Sequence, residues 1–595
     1  MSSSEAVLGQ FLGSDEFPVR WESEQESDLF WVYDDLHCPQ PLSPMYFDIG
    51  GWWLTCDHMF RRFATPFAVD WLAKNVNGYL YTAAVPADAS LEVRAGEYGS
   101  RYWARVPEDP DYANKIGVYL DAVLPVYGRN FGTWWRDRLV PEMERNFAYL
   151  EAQLDRADDV GLADLAVLLE DAMDIHDRHW KIHWMLNFAQ LSATLNLRAV
   201  VERTRGVVDE DLLGRLQNSA EDRNWDSIEA LWKMKEQVKA DPGLSKVFQL
   251  ASAADVLSAL RSGENGQRFL KDSLEPYQRE FGWHSVWSHE FIFPTIREQP
   301  EPVVEQIRGY FNTDYDYRKA VEAVRLDLEH ASAELLEGLT GDAREELAAA
   351  NEVNRAMAPL TPDHHFYIDQ GANARLRLVL ITIGARLVQE GVISEPEDVL
   401  FLRYNELRVV IGDAEAFDVR AMVAKRRRER AAAYELRPPD WIGTVTESQL
   451  AFPYLANWGY PDRFHRKMST VAGQITGISG SPGVVEGVAR VVLTADDFDD
   501  VAQGDILVCQ MTNPAWVVLF TKIAGLVTDT GGTTSHPAVL AREFTIPAVV
   551  GTSVATRQIK TGDRIRVDGT RGIVELIDGA REGEAHARLG GLSFD

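Results

Sequence analysis

Three groups of residues in this chain have the types and spacing for chemistry. The first is the run Thr528-Asp-Thr-Gly-Gly-Thr-Thr-Ser-His536-Pro-Ala-Val-Leu-Ala-Arg542, which follows the apolar stretch Ile523–Val527. Its glycine pair lets the backbone turn sharply and come close to a ligand. Ser535 suits a helix N-cap and Pro537 the first turn behind it. His536 then lies among unpaired N–H groups at the positive end of a helix dipole, which favours a phosphate. Gly531, Gly532, Thr533, Thr534, Ser535 and Arg542 are the residues placed to cradle it. Taken alone, a histidine after Gly-Gly is more often a turn residue than a catalyst.

The second group is Asp363-His364-His365 with Tyr367 and Asp369, just before a helical pattern bearing Arg375 and Arg377. The third is His176, His179 and His183, whose three- and four-residue offsets set them along one helical face beside Trp180 and Trp184. Phosphoryl transfer to a hydroxyl needs an in-line approach, a base beside the hydroxyl, and cations or N–H groups around the phosphate. His364 and His365 are candidate bases for an alcohol or phenol. His176, His179, His183, Trp180, Tyr367, Asp369 and Arg375 are candidate substrate contacts, with a packed polar face as the alternative. No cysteine or carboxylate ligand set accompanies the three histidines on the helix, so no metal is expected. His58, His284 and His289 stand alone in the sequence and read as structural.

Two kinds of element must position these groups. From about 111 to 435, apolar residues recur at three- and four-residue spacing, broken by clusters such as Asp241-Pro-Gly and Ser394-Glu-Pro. That pattern predicts one large all-helical region. Residues 1–110 are aromatic-rich and largely irregular, and Asp34–Pro44 holds too many prolines for a helix or central strand. Short β-rich runs then dominate from 475, including Gly487–Leu493, Asp505–Cys509 and Arg564–Asp568. The expected organisation is an aromatic-rich N-terminal part over 1–110, a helical domain over 111–461, a linker over 462–474, a small α/β domain over 475–580, and a tail over 581–595.

Composition narrows the class. The 595 residues carry 91 acidic and 60 basic side chains, a formal charge of −31 that argues against a nucleic-acid partner. The one basic run, Lys425–Arg430, reads as the solvated face of a helix. No long uninterrupted apolar run or signal-like N-terminus occurs, so no membrane span is expected. Cys38, Cys56 and Cys509 form no close pair, which suits reduced thiols in the cytoplasm.

The string Thr534-Ser-His536, Ala541-Arg-Glu, Ile546-Pro-Ala-Val-Val-Gly551 resembles the swivelling phosphohistidine domain of the phosphoenolpyruvate-utilising enzymes. Ile478-Ser-Gly-Ser-Pro-Gly483, Cys509–Trp516 and Val567–Val574 resemble its other landmarks, in the expected order. The resemblance implies that His536 takes a phosphoryl group at one site and delivers it at another. His37–Pro44, Phe269–Phe281 and the stretch from Asp363 to Leu402 are similar to the helical substrate region of rifampin phosphotransferases and phenylphosphate synthases. No Gly-x-x-x-x-Gly-Lys-Ser/Thr loop or nucleotide-grasp region is evident. The resemblance therefore implies a multidomain carrier and acceptor protein, with a large helical domain ahead of a small α/β swivelling domain. A separate ATP-grasp subunit, holding ATP and Mg2+, would fill the carrier, and a phenolic small molecule would be the acceptor. The alternatives are an antibiotic or other bulky hydroxyl acceptor, or a non-enzymatic phosphohistidine relay.

Overall fold

The computed structural model describes residues 7–35, 37–56, 58, 68–86, 125–250, 252–313, 315–446, 469, 471, 473–493, 495–512, 516–520, 522–531 and 536–577. Near the N-terminus, β1 (Val7–Phe11), β2 (Phe30–Tyr33), β3 (Ala68–Val76) and β4 (Tyr79–Pro86) join β5 (Trp441–Thr446) in a sheet of order β1-β5-β2-β4-β3. Every pairing in it is antiparallel. The sequence reading of this segment as mostly irregular missed the sheet, because the strand that sits between β1 and β2 lies beyond the whole helical region. Gly443, at φ +83°, makes that insertion possible, since a Cβ there would stand 2.1 Å from the Leu29 carbonyl oxygen. Chain leaving β2 becomes the proline-rich stretch, with Cys38, Gln40, Leu42 and Ser43 all buried. Ser43 Oγ then caps the Pro44–Ile49 helix by accepting from Tyr46 N.

The helical region is built on one 44-residue helix, Leu162–Arg205. Gly371–Gln389 packs along it, and Gly384 lets that second helix meet the Pro396–Phe401 turn, whose Pro396 oxygen leaves no room for a side chain. The basic run falls in the Val419–Ala433 helix but is not simply solvated. Arg426 pairs with Glu406, Arg427 with Asp398 and Glu395, and Arg430 Nε donates to the Pro41 carbonyl at 3.0 Å. Acidic partners from distant turns account for the difference, and they tie this helix to the proline-rich stretch.

Another buried acid gives a measurable consequence. Asp222 caps the Arg223–Ala240 helix, accepting from Asn224 N and Trp225 N. Burial, reinforced by the facing Asp363 carboxyl, pushes Asp222 up to about 7, and Asp363 itself rises to about 6, chiefly by burial. The unfolded chain releases these protons near pH 4, so folding loses stability as pH climbs from about 4 to about 7. Asn keeps the capping oxygen without the charge. Asp222→Asn is therefore expected to raise the thermal midpoint by about 2 °C at pH 8 and to leave it unchanged at pH 4, read by calorimetry at both.

The C-terminal unit is an eight-stranded sheet. Its strands are β6 (Gln474–Thr476), β7 (Ile478–Ser481), β8 (Val484–Val492), β9 (Ile506–Cys509), β10 (Gly525–Thr528), β11 (Ala548–Val550), β12 (Arg564–Asp568) and β13 (Ile573–Leu576), in the order β6-β13-β12-β8-β9-β10-β11-β7. The core run β8-β9-β10-β11 is parallel, and β9, β10 and β11 are buried along their whole length, as doubly covered strands are. This unit rests on the helical region. The Phe544 ring stacks on Tyr315 with centroids 5.6 Å apart, Gln40 Nε2 donates to the Leu493 oxygen at 3.1 Å, and Arg557 lies 3.3 Å from Asp440. Of the expected 462–474 linker, residues 462–468, 470 and 472 lie outside the described residues, as does the 581–595 tail. No helix among the described residues is long and apolar enough to cross a membrane. Cys38, Cys56 and Cys509 are buried and unpaired with one another.

Candidate active site

Sequence placed a phosphate beside His536, and a helix does run from His536 to Glu543, directly after the β10 strand and its turn. Asp529 anchors that turn from beneath. Its Oδ1 accepts from Thr552 Oγ1 at 3.0 Å and from Thr556 N at 3.2 Å, and the Thr556 hydroxyl donates to Oδ2. Thr530 Oγ1 donates to the Gln510 oxygen at 2.9 Å, fixing the next residue as well. Gly531 holds φ +107°, a conformation that side-chain-bearing residues rarely adopt. Gly532, Thr533, Thr534 and Ser535 lie outside the described residues. Arg542, in the last turn of the helix, donates from Nη1 to the Gly480 oxygen at 2.8 Å and so braces the helix against β7.

The helical region gathers a second site from four distant segments. A π-helical turn over His365–Gln370 follows the short Leu360–His364 helix. Residues four apart face each other in α geometry and five apart in π geometry. One carboxylate can therefore serve two histidines at once. His365 Nδ1 is bonded to Asp369 Oδ2, and His364 Nε2 lies 3.8 Å from the same oxygen. From the long helix, His183 brings Nδ1 to 3.8 Å from Asp369 Oδ1. The rings of His364 and His365 are 4.1 Å apart by centroid, and those of His183 and His364 are 4.9 Å apart. Asp369 is 3% exposed, while the His365 side chain is 50% exposed and opens the cluster outward.

Electrostatics follow from that burial. Burial alone would raise the Asp369 pKa, but the adjoining imidazoles of His365 and His364 hold it well below the usual carboxylate range. Burial pushes His183 down to about 4, against the pull of Asp369, and drives His364 well below its ordinary value. His183 and His364 thus stand as neutral imidazoles beside one ionised carboxylate at neutral pH.

Not every sequence candidate joins it. His176 is buried with Nε2 2.7 Å from Asn373 Oδ1 and 3.0 Å from Trp180 Nε1. His179 is pressed on the Phe147 ring and pushed by burial to about 3. These two are held in packing, although they share a helical face with His183. Arg375 is sandwiched between Phe147 and Trp283, and its Nε donates to Glu151 at 3.0 Å. Tyr367 donates its hydroxyl to Glu144 at 3.3 Å. Trp180 does border the cluster, 4.8 Å from the His183 ring.

Two histidines that sequence left aside also arrive here. His289 lies 5.9 Å from Trp180 and 5.4 Å from His37, and its Nδ1 is 3.3 Å from the Tyr46 hydroxyl. His37 Nδ1 sits 3.0 Å from Asp34 Oδ1; burial opposes its charge, yet Asp34 raises its pKa overall. The Ser43 hydroxyl donates to Glu290 at 2.6 Å and the Trp287 indole to the His37 oxygen at 2.7 Å, so the two loops are locked together. Only the Asp34-Asp-Leu-His37 spacing hinted at this from the sequence.

Comparison with known proteins bears on both sites. Residues 501–572 match the family model of the PEP-utilising enzyme mobile domain, and residues 183–361 match that of the rifampicin phosphotransferase fourth domain. The chain is 31% identical over 403 residues to an uncharacterized phosphotransferase, YvkC, of Bacillus subtilis, covering 66% of this chain and 47% of that protein. It is 32% identical over 317 residues to a rifampicin phosphotransferase of a Streptomyces species, covering 52% and 34%. Against chondramide synthase cmdD of Chondromyces crocatus it is 27% identical over 589 residues, which is 94% of this chain and 14% of that one. The chain spans less than half the length of each of these relatives.

Proposed function

Because the chain belongs to the phosphoenolpyruvate-utilising enzyme family, we propose that it is the carrier and acceptor part of a phosphotransferase whose phosphoryl group passes through His536 to a small-molecule hydroxyl. One observation carries the reading. The same chain holds a carrier-type histidine on a separate α/β unit and, on its helical region, imidazoles ordered around the Asp369 carboxylate. In the transfer, the N–P bond at His536 breaks and its electron pair returns to the imidazole. An O–P bond forms to the acceptor oxygen, whose proton passes to an imidazole of the cluster. His365 suits that role, because Asp369 holds its Nδ1 and leaves Nε2 to accept.

A phenolic acceptor fits the chemistry, since a phenol ionises near pH 10 and a neutral imidazole can assist it. The donor would be ATP with Mg2+ on an ATP-grasp unit, carried by a separate polypeptide in the cytoplasm. The buried cysteines, which form no disulfide with one another, suit that compartment. A second reading, an antibiotic hydroxyl as acceptor, is favoured by the match of 183–361 to the rifampicin phosphotransferase fourth domain.

The test is direct. The chain, ATP and Mg2+ are incubated with and without an ATP-grasp partner, against a panel of simple phenols and macrocyclic antibiotics. A phosphorylated phenol, formed only with the partner, is expected. Phosphorylation of macrocycles alone would move the assignment to the second reading, and acid-labile phosphate that never leaves the protein would overturn both. Turnover by the isolated chain would remove the two-polypeptide arrangement.

A further inference from the structure

The sequence offered no ligand set for a metal within any one helix, yet the fold assembles one from two. The geometry points to a divalent transition-metal site formed by His183 Nδ1, His364 Nε2 and one carboxylate oxygen of Asp369. Those three ligand atoms lie within 4.8 Å of one another. Two of the separations, His183 to Oδ1 and His364 to Oδ2, are 3.8 Å. Bonds of about 2.0–2.1 Å in tetrahedral geometry set ligand atoms roughly 3.4 Å apart. Those two contacts go to different oxygens of Asp369, so with one oxygen as ligand the atoms need to close by about 0.4 to 1.4 Å, within reach of small side-chain rotations.

Three further observations favour an ion over a set of hydrogen bonds. Asp369 Oδ1 and His183 Nδ1 are buried, and neither has a hydrogen-bond partner. A buried carboxylate oxygen and an imidazole nitrogen facing each other without one is an unusual arrangement unless something binds between them. The outer contacts also match those of metal ligands, whose second ring nitrogen is usually held by a carbonyl or amide. His364 Nδ1 lies 3.2 Å from the Leu360 oxygen, to which it donates, leaving its Nε2 lone pair free. His183 Nε2 lies 2.9 Å from the Asn187 amide, and turning that amide over puts its oxygen there to accept Nε2–H, which frees Nδ1. His365 steadies the other Asp369 oxygen.

Donor chemistry selects the ion. Two imidazoles and one carboxylate suit Zn2+, Co2+, Mn2+ or Fe2+, whereas Mg2+ and Ca2+ prefer all-oxygen shells. Three protein ligands leave a position for water or for an acceptor hydroxyl. The assignment of that position to the acceptor rests on the proposed transfer function; the metal site itself does not.

The test uses the full chain, stripped of metal and titrated with Co2+, whose visible absorption reports nitrogen and oxygen ligation. One equivalent should bind with micromolar or tighter affinity, and His183→Ala and Asp369→Asn should each weaken it at least about 100-fold. His284→Gln, outside the set, should bind as the parent does. X-ray absorption on the unsubstituted Co2+ protein, which needs no variant to fold, should find two imidazoles and a carboxylate. Binding below one equivalent at about 1 mM Co2+, or a shell without imidazole, would overturn the site. Because the readout is ligation, transfer activity without metal binding removes this inference alone, and metal binding without transfer removes only the functional reading.

Discussion

A His536→Ala chain is expected to transfer no phosphoryl group to any acceptor, a loss of at least about four orders of magnitude. It should also form no acid-labile phosphoenzyme when its donor is supplied. The reasoning is structural as much as chemical. His536 opens the His536–Glu543 helix, so its backbone N–H is one of the donors no helix can satisfy internally. Alanine at that place removes the nucleophilic nitrogen and keeps the helix. Upstream, Asp529 is held by Thr552 and Thr556, and the substitution changes none of these three residues. A melt overlapping that of the parent, together with absent phosphoenzyme by rapid quench, checks both halves. Retained turnover would remove His536 from the route.

How legible each site was depends on where its partners sit. The His536 turn is local. Glycine pair, serine, histidine, proline and the helix behind them fall close together in the chain, so one short string carries the whole motif. The histidine cluster around Asp369 is local only in part. His364, His365 and Asp369 share one turn, and their spacing was visible. His183 was visible as part of a helical face, but nothing in that spacing separates it from His176 and His179. The separation is made by neighbours: Asn373 and Trp180 take His176, Phe147 covers His179, and His183 alone of the three meets Asp369. His37 and His289 lie far apart in sequence and meet through the Ser43–Glu290 and Trp287–His37 hydrogen bonds. No periodicity encodes that meeting. The same holds for Arg375, whose charge looked free for phosphate until Glu151 reached it from another helix, and for β5, which finds its place between β1 and β2 from the far side of the helical region.

Asp369→Asn carries the sharper mechanistic expectation, because it divides the reaction in two. The carboxylate accepts from His365 Nδ1 and lies within 3.8 Å of His364 and His183, so one charge orders three imidazoles. Asn has nearly the same volume and keeps one oxygen, but it removes the charge, and its N–H₂ cannot accept from His365 Nδ1. The main-chain oxygen of residue 369 still accepts from Asn373 Nδ2, so the turn retains its backbone tie. On the proposed route phospho-His536 forms on the α/β unit, away from Asp369, so its formation should proceed at the parent rate. Delivery to the acceptor should slow by about 10²- to 10⁴-fold, the range set by losing a positioned base. Single-turnover quench shows the pattern plainly: a normal burst of phosphoenzyme, then a slow decay that added acceptor barely accelerates. His365→Asn should reproduce the slow delivery while leaving the His183 and His364 contacts in place. Equal loss of both phases in Asp369→Asn would mean that the cluster supports the fold of the whole chain and takes no separate part in delivery.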